Sequence, residues 1–227
     1  ISWAAPIGND IPAGNALIAR CVAAAPEEVI GLSSCDPVTQ SPDAIRAMCQ
    51  ELHVGRGFRG LKPYYRNGLS YADPRYAPWW EFAEAHRLYG LLHPHPDSGG
   101  IAAVCALAER YPEVTFLIAH ACGHWKSARE AAEVISRFAN VMAEVTLTPV
   151  PNGIIEWMCR TVGADRVLFG TDAPMRDPRP QLGWCVYTRL GLEDKKRILG
   201  VNFARILARA RLPGHDLPAA AAEALND

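Results

Sequence analysis

Short apolar runs alternate with longer amphipathic segments along the chain, and this alternation limits the fold more than any other feature. Unbroken apolar runs are typical of strands that are buried on both faces of a parallel sheet. The amphipathic segments between them have the spacing of helices, so the pattern predicts repeated strand–helix units and an α/β fold. Seven runs fit a strand, and they lie near Ile1, Val29, Phe58, Leu88, Val114, Val141 and Val167.

The length and the number of strands together indicate one barrel-like domain. The chain has 227 residues, of which 49% are hydrophobic, and it can bury one substantial core without being divided. We therefore expect a single domain over residues 1–227. A closed barrel of this class needs eight parallel strands. Because Ile1 already lies in a strand-like run, we expect the missing strand to precede it, and an open or distorted barrel is the alternative.

Charge and cysteine content bear on partners and location. The formal net charge of −1 gives no basic field for nucleic acid or an anionic membrane, so we expect neither partner. The seven cysteines include no Cys-x-x-Cys pair, which indicates reduced thiols. No apolar run is long enough to cross a membrane, and no secretory leader is visible. These features predict a cytoplasmic protein with a small-molecule substrate.

Polar residues end three of the buried strands and form the main candidate site. His93 follows 88–92, His120 follows 114–119, and Asp172 follows 167–171. The carboxyl ends of parallel strands open onto the loops where active sites are built. Two imidazoles and a carboxylate at one rim suit a divalent metal, preferably Zn²⁺ over Mn²⁺, with a position left open for water. The pattern predicts an enzyme.

Other residues near the same rim are candidates for binding a substrate. Lys62 ends another strand, and it either binds an anionic substrate group or pairs with a nearby carboxylate. His95 and His124 could contact a substrate or lie exposed in loops. Arg176 could bind a carboxylate of the substrate or remain exposed to solvent.

A long irregular stretch over residues 63–78 predicts a loop that covers the site. Tyr64, Tyr65 and Arg66 in this stretch, with Trp79 and Trp80 just after it, could line the pocket. They could equally pack the loop against the barrel. The tail over residues 212–227 shows no clear helix caps, so no element is predicted there.

Several motifs in this order make the chain resemble a known family. They are Gly-Leu-Ser-Ser-Cys-Asp-Pro at 31–37, Gly-Phe-Arg-Gly-Leu-Lys-Pro at 57–63, Ile-Ala-His-Ala-Cys-Gly at 118–123, the segment 165–174 around Gly-Thr-Asp-Ala-Pro, and 195–207. Together with His93 they resemble the amidohydrolase-related family of metal-dependent hydrolases and decarboxylases. The resemblance implies a distorted TIM (β/α)8 barrel, with about seven βα units visible here, and leaves a homo-oligomer open.

The resemblance also implies roles for the strand-end residues. His93 matches a metal ligand. His120 matches either a ligand or a group that orients water and substrate, and Asp172 matches a ligand or general base. Members of the family generally add a His-x-His pair from the first strand. His93-Pro94-His95 has this spacing but follows a different strand, so we expect the first-strand pair on a strand before Ile1.

Three functions remain open from the sequence. The first is a metal-dependent hydrolase that cleaves an amide, lactone or ester through metal-activated water, with Asp172 as base. The second is a non-oxidative decarboxylase of the same family. The third is a non-catalytic barrel, or a fragment, with an incomplete metal site.

Overall fold

The structure, a computed structural model, describes residues 2–3, 10–64, 68–146 and 150–226. Residues 2–3 are described through their backbone. Tyr65 and Arg66, which the sequence suggests as pocket residues, lie outside the described residues.

Seven parallel strands form one sheet in chain order, from β1 at one edge to β7 at the other. Each strand pairs with the next along the chain, and the longest register joins Tyr89–Leu92 to Thr115–Ile118. This order confirms the predicted distorted TIM-barrel architecture, with seven strands visible in the described part of the chain. The strands are β1 Ser2–Trp3, β2 Ile30–Ser33, β3 Gly60–Leu61, β4 Tyr89–Leu92, β5 Thr115–Ile118, β6 Val141–Glu144 and β7 Val167–Leu168.

Helices connect the strands and cover the sheet. Within the described ranges they are α1 Ile11–Ala24, α2 Pro42–Cys49, α3 Ala77–His86, α4 Gly100–Arg110, α5 Trp125–Arg137, α6 Ile154–Val162, α7 Pro178–Val186, α8 Leu192–Lys196, α9 Asn202–Arg209 and α10 Ala219–Asn226. Two of them continue as π-helical turns, α2 through Val54 and α8 through Val201. None of the described helices is long and apolar enough to span a membrane.

Local sequence signals explain most of the helix boundaries. Ser41 caps α2 by accepting a hydrogen bond from the Ala44 backbone N–H, and Pro42 occupies the first helical position, where its missing N–H costs nothing. The sequence pattern predicts neither α7 nor α10. In α7, Pro178 and Pro180 are residues typical of a loop. The alanine-rich α10 has no marked apolar stripe that would predict a helix.

Strand β3 is shorter than the predicted run over residues 57–62. Gly57 has a φ of +73°, which is incompatible with a strand, and Phe58 and Arg59 pass through the interior before the ladder begins at Gly60. Arg59 already exchanges backbone hydrogen bonds with Gly31 and Tyr89, so the predicted strand is shortened at its amino-terminal end.

The two faces of the sheet pack against different helices. Phe116, Ile118 and Val141 belong to the larger core cluster, which includes residues of α3, α4, α5 and α6. Leu117 and Met142 belong to a second cluster with residues of α9 and α10. Because all strands are parallel, their carboxyl ends lie at one edge of the sheet, and the candidate residues follow these ends.

Candidate active site

His93 and His120 lie side by side just beyond β4 and β5. Their ring centroids are 4.7 Å apart and the ring planes cross at 67°. Burial lowers the pKa of His93 to about 4, with smaller contributions from His120 and Lys62. Burial also lowers the pKa of His120, followed by the effect of Lys62. Both imidazoles are therefore neutral near pH 7, which is the form that can bind a metal or accept a proton.

The backbone and ring of His120 are both held by the end of β6. Its backbone N–H donates to Glu144 Oε2 at 3.2 Å, and its Nδ1 lies 3.2 Å from the carbonyl oxygen of Thr146. A carbonyl only accepts, so Nδ1 carries the proton and Nε2 keeps its lone pair. His120 has a φ of +60°, a left-handed conformation that is uncommon for a residue with a side chain.

Glu144 is a buried carboxylate that the sequence analysis did not single out. It is the last residue of β6 and only 7% exposed. Burial raises its pKa to about 7, against the hydrogen bonds from His120 and Thr146 and the charge of Lys62. A signal was present in the sequence, because a charged residue ends an otherwise apolar strand run, as at the other strand ends.

Lys62 belongs to the same group of charges. It follows β3 and is partly buried, with its backbone N–H donating to the Ser33 carbonyl oxygen at 2.8 Å. Burial lowers its pKa to about 8, while Glu144 and Asp172 act in the opposite direction. The charges of both carboxylates therefore act on Lys62, and its pairing with either of them stays a prediction.

Asp172 follows β7 in a second left-handed conformation, with a φ of +58°. Its carboxylate affects the pKa values of His120 and Lys62, so it lies in their neighbourhood. Arg176 is nearby, with its Nε 3.9 Å from Asp172 Oδ2 and its side chain 45% exposed. This pairing offers an alternative to the predicted substrate contact of Arg176.

His95 caps a short turn of helix at Pro96–Ser98, and His124 caps α5. His95 Nδ1 accepts from the Asp97 backbone N–H at 3.3 Å, and its ring centroid is 6.4 Å from that of His93. His124 Nδ1 accepts from the Ser127 backbone N–H at 3.1 Å, at the start of α5. Both roles are structural, and substrate contact by either residue stays a prediction.

The aromatic candidates divide between the core and the rim. Trp79 and Trp80 are fully buried, and their indole N–H groups donate to Ser33 Oγ and to the Tyr71 carbonyl oxygen. They pack the interior rather than line an open pocket. Tyr64 is partly exposed, and its contact with a substrate stays a prediction.

The described residues supply donors for a metal but no complete group of three. Neutral imidazoles at His93 and His120 and the carboxylate of Asp172 are suitable donors. Within the part of the chain that the structure describes, however, no three His, Cys, Asp or Glu side chains are arranged to hold an ion. The three-ligand set predicted from the sequence therefore stays a prediction.

Two surface clefts compete with this cluster as candidate sites. One lies beside α1 and α2 and the other beside α6 and α7, and neither is lined by any of the strand-end residues. We favour the cluster, because it collects several buried or partly buried titratable groups whose pKa values are shifted, a feature of functional sites.

Comparison with known proteins identifies the class of this barrel. A family profile described as amidohydrolase matches residues 6–209, which is most of the chain. The chain belongs to the amidohydrolase family. Among curated proteins, none matches this sequence.

Solved structures with a similar fold share little sequence with this chain. An uncharacterised TIM-barrel protein from Bordetella bronchiseptica has a TM-score of 0.73 at 21% identity, over 89% of this chain and 76% of its own. The 2,6-dihydroxybenzoate decarboxylase from Rhizobium has a TM-score of 0.68 at 16% identity, over 86% and 76%. A dihydroxybenzoic acid decarboxylase from Polaromonas, with bound manganese and the inhibitor 2-nitroresorcinol, has a TM-score of 0.66 at 18% identity, over 86% and 74%. At these identities, the likeness establishes the fold alone.

Proposed function

We propose that the protein is a metal-dependent, non-oxidative decarboxylase that acts on a small carboxylic acid. The observation that carries this proposal is Lys62, a partly buried cation beside the neutral imidazoles of His93 and His120. A cation at the mouth of a barrel can bind a substrate carboxylate. The decarboxylases of similar fold, one of them with manganese, support the choice of this reaction.

In this proposal each residue has a defined task. Lys62 binds the carboxylate that will leave. Asp172, partly exposed at the mouth, brings a proton from solvent to the carbon from which the carboxylate departs. The C–C bond breaks, carbon dioxide leaves, and the electron pair left on carbon takes that proton. His120 presents Nε2 to the substrate or the metal.

We propose His93, His120 and Asp172 as the ligands of a divalent metal, and binding would require the three side chains to draw together from the arrangement described above. When bound, it supplies a positive charge that orients the carboxylated substrate and polarises its oxygen atoms. The comparison structure with manganese supports Mn²⁺ as much as Zn²⁺, the ion preferred from the sequence.

Hydrolysis is the second candidate. It is supported by the carboxylate of Asp172, which could accept a proton from water as readily as deliver one to carbon. In that reaction the substrate would be an amide, lactone or ester, and no carbon dioxide would form.

One assay separates the two candidates. The full chain, supplied with Mn²⁺ or Zn²⁺, is incubated with a panel of hydroxybenzoic acids and of lactones, and carbon dioxide and proton release are both followed. We expect carbon dioxide from an aromatic acid, with activity lost in His120→Asn and Asp172→Asn but kept in His86→Gln, a histidine on α3 away from the strand ends.

Proton release from a lactone without carbon dioxide would identify the hydrolase instead. If metal-loaded protein released neither product across the panel, both candidates would be rejected in favour of the non-catalytic barrel.

A further inference from the structure

We propose that Glu144 is a positioning residue that fixes the backbone and the ring tautomer of His120. The inference deepens the proposed function and rests on it only for the role of His120 in the reaction. It depends on hydrogen bonds between the ends of β5 and β6 and on the space that Gly170 leaves just beyond β7.

The first part of the argument is the set of donors around the Glu144 carboxylate. Oε2 accepts from the backbone N–H of His120 at 3.2 Å, and Oε1 accepts from the backbone N–H of Thr146 at 2.9 Å. The Thr146 hydroxyl also donates to Oε1. Both oxygens therefore face donors. A carboxylate satisfies this arrangement, whereas an amide would turn its NH₂ group towards one of the backbone N–H groups.

The second part is the return contact from Thr146 to the ring of His120. The Thr146 carbonyl oxygen accepts from His120 Nδ1, and the Ala121 backbone N–H donates to the Glu144 carbonyl oxygen at 2.9 Å. Glu144 thus holds Thr146 through hydrogen bonds, and the Thr146 carbonyl oxygen holds the imidazole of His120. A left-handed backbone at a residue with a side chain persists only where its surroundings determine it fully. This closed network provides that determination for His120.

The third part is the space made by Gly170, just beyond β7. A Cβ added at Gly170 would overlap Glu144 Oε1 and Thr146 Oγ1. The φ of Gly170 is not positive, so its backbone does not itself require glycine. The absence of a side chain at this position is what allows the Glu144 carboxylate to occupy its place between β5 and β7.

The test measures the tautomer of His120 directly. Ring-nitrogen NMR of the uniformly ¹⁵N-labelled full chain, before and after dialysis against a chelator, reports which nitrogen carries the proton, and the His120 signals are identified by their loss in His120→Gln. We expect protonation at Nδ1 in the wild type. We expect Glu144→Gln and Gly170→Ala, which remove or displace the carboxylate from opposite sides, to give a mixture of tautomers.

Asn140→Ala provides the matched control for loss of a buried polar group on the same strand. Asn140 lies just before β6, at the other end, where its side chain donates to three backbone carbonyl oxygens of residues 108, 111 and 114. This variant should lose stability but keep the single Nδ1–H tautomer. In the decarboxylase assay, Glu144→Gln should lower kcat by roughly 10- to 100-fold while KM changes little, as for residues that orient a first ligand.

The outcomes separate the inference from the proposed function. Protonation of wild-type His120 at Nε2, or an unchanged single tautomer in either folded variant, would overturn the inference, and the wild-type measurement stands even if the variants fail to fold. A change of tautomer in the variants, in a protein that releases no carbon dioxide, would support the positioning role and reject the decarboxylase.

Discussion

His53 shows how a single buried imidazole can make the fold sensitive to acid. It is fully buried, with Nδ1 at 2.8 Å from the Phe58 carbonyl oxygen and Nε2 at 2.8 Å from Ser33 Oγ. Nδ1 must donate to the carbonyl, so Nε2 accepts from the Ser33 hydroxyl, which in turn accepts from Trp79 Nε1. A second ring proton on Nε2 would take away the acceptor that the Ser33 hydroxyl proton uses in this network. Burial is the main reason that the pKa of His53 falls to about 4.

We therefore expect the free energy of unfolding to fall as the pH drops from about 6.5 to about 4. The unfolded chain binds a proton at His53 in this range and the folded chain does not, so stability is full above the unfolded pKa and is lost below it. The loss from this residue should be about 3 kcal/mol. Chemical denaturation at a series of pH values measures it.

His53→Gln should be less stable at pH 7 but should show a shallower loss of stability on acidification. Asn140→Ala, which removes a buried polar side chain that does not titrate, is the matched control and should keep the wild-type slope. An equal slope in His53→Gln and the wild type would show that His53 is not the group that titrates.

Lys62 makes a separate prediction about the pH dependence of substrate binding. Its pKa of about 8 means that the ammonium form is lost as the pH rises through that value. If Lys62 binds the substrate carboxylate, KM for an acid substrate should rise above pH 8, because the attraction between charges disappears. Lys62→Gln should raise KM by roughly 10- to 100-fold at pH 7, in line with the loss of a charged hydrogen bond.

Lys62→Arg tests whether charge alone is needed, because arginine stays protonated throughout this range. Its KM should not change as the pH rises through 8. A wild-type KM that is equally flat would place the carboxylate away from Lys62.

At the scale of elements, the terminal helix α10 is held by a small apolar contact. Ala221 is the one buried residue of α10, and it belongs to the core cluster that includes Leu207 of α9. We expect Ala221→Asp to release α10, because the charge would lie in the apolar cluster and leave only the partly buried Ala224 of this helix packed against it. Trypsin should then cut the chain after Arg211, which is exposed between α9 and α10.

Ala220→Asp introduces the same charge one residue earlier, at an exposed position, and should leave the helix docked and the tail resistant. If both variants were cut at the same rate, the docking of α10 would not depend on Ala221.

The elements that could be predicted from sequence are those whose pattern reflects their packing. The β4 and β5 runs are mostly apolar and are followed by histidine, and α6 and α9 have clear apolar stripes, so their positions follow from the sequence. The pattern fails for α7 and α10, which bury few side chains. It also fails for β3, where the backbone turn at Gly57 breaks an apolar run.

The same distinction applies to the candidate site. Position along the chain indicates that His93, His120 and Asp172 follow strands, but it does not give their conformation or their contacts. The part played by Glu144 depends on a hydrogen bond to a residue 24 positions away and on space provided by Gly170. Neither is visible in a local pattern.

At the scale of the whole molecule, metal binding should stabilise the barrel, because the expected ligands follow three different strands. An ion that binds only the folded chain raises the free energy of unfolding by about 2.7 kcal/mol at a free concentration of 100 times Kd. We therefore expect Mn²⁺ or Zn²⁺ to raise Tm in a thermal scan. His93→Ala should lose most of this increase, while Mg²⁺, which prefers oxygen ligands, should give little.

Elemental analysis of the same samples gives the occupancy. Equal increases of Tm in the wild type and in His93→Ala would mean that the ion binds elsewhere on the protein.

The left-handed backbone at His120 and Asp172 bears on how this protein can change by mutation. A residue with a side chain in that conformation costs of the order of 1 kcal/mol that glycine would avoid. A library selected for heat resistance alone should thus enrich glycine at both positions, whereas one selected for turnover should reject it. Opposite outcomes in the two selections would show that the side chains at these positions lower stability but are needed for activity.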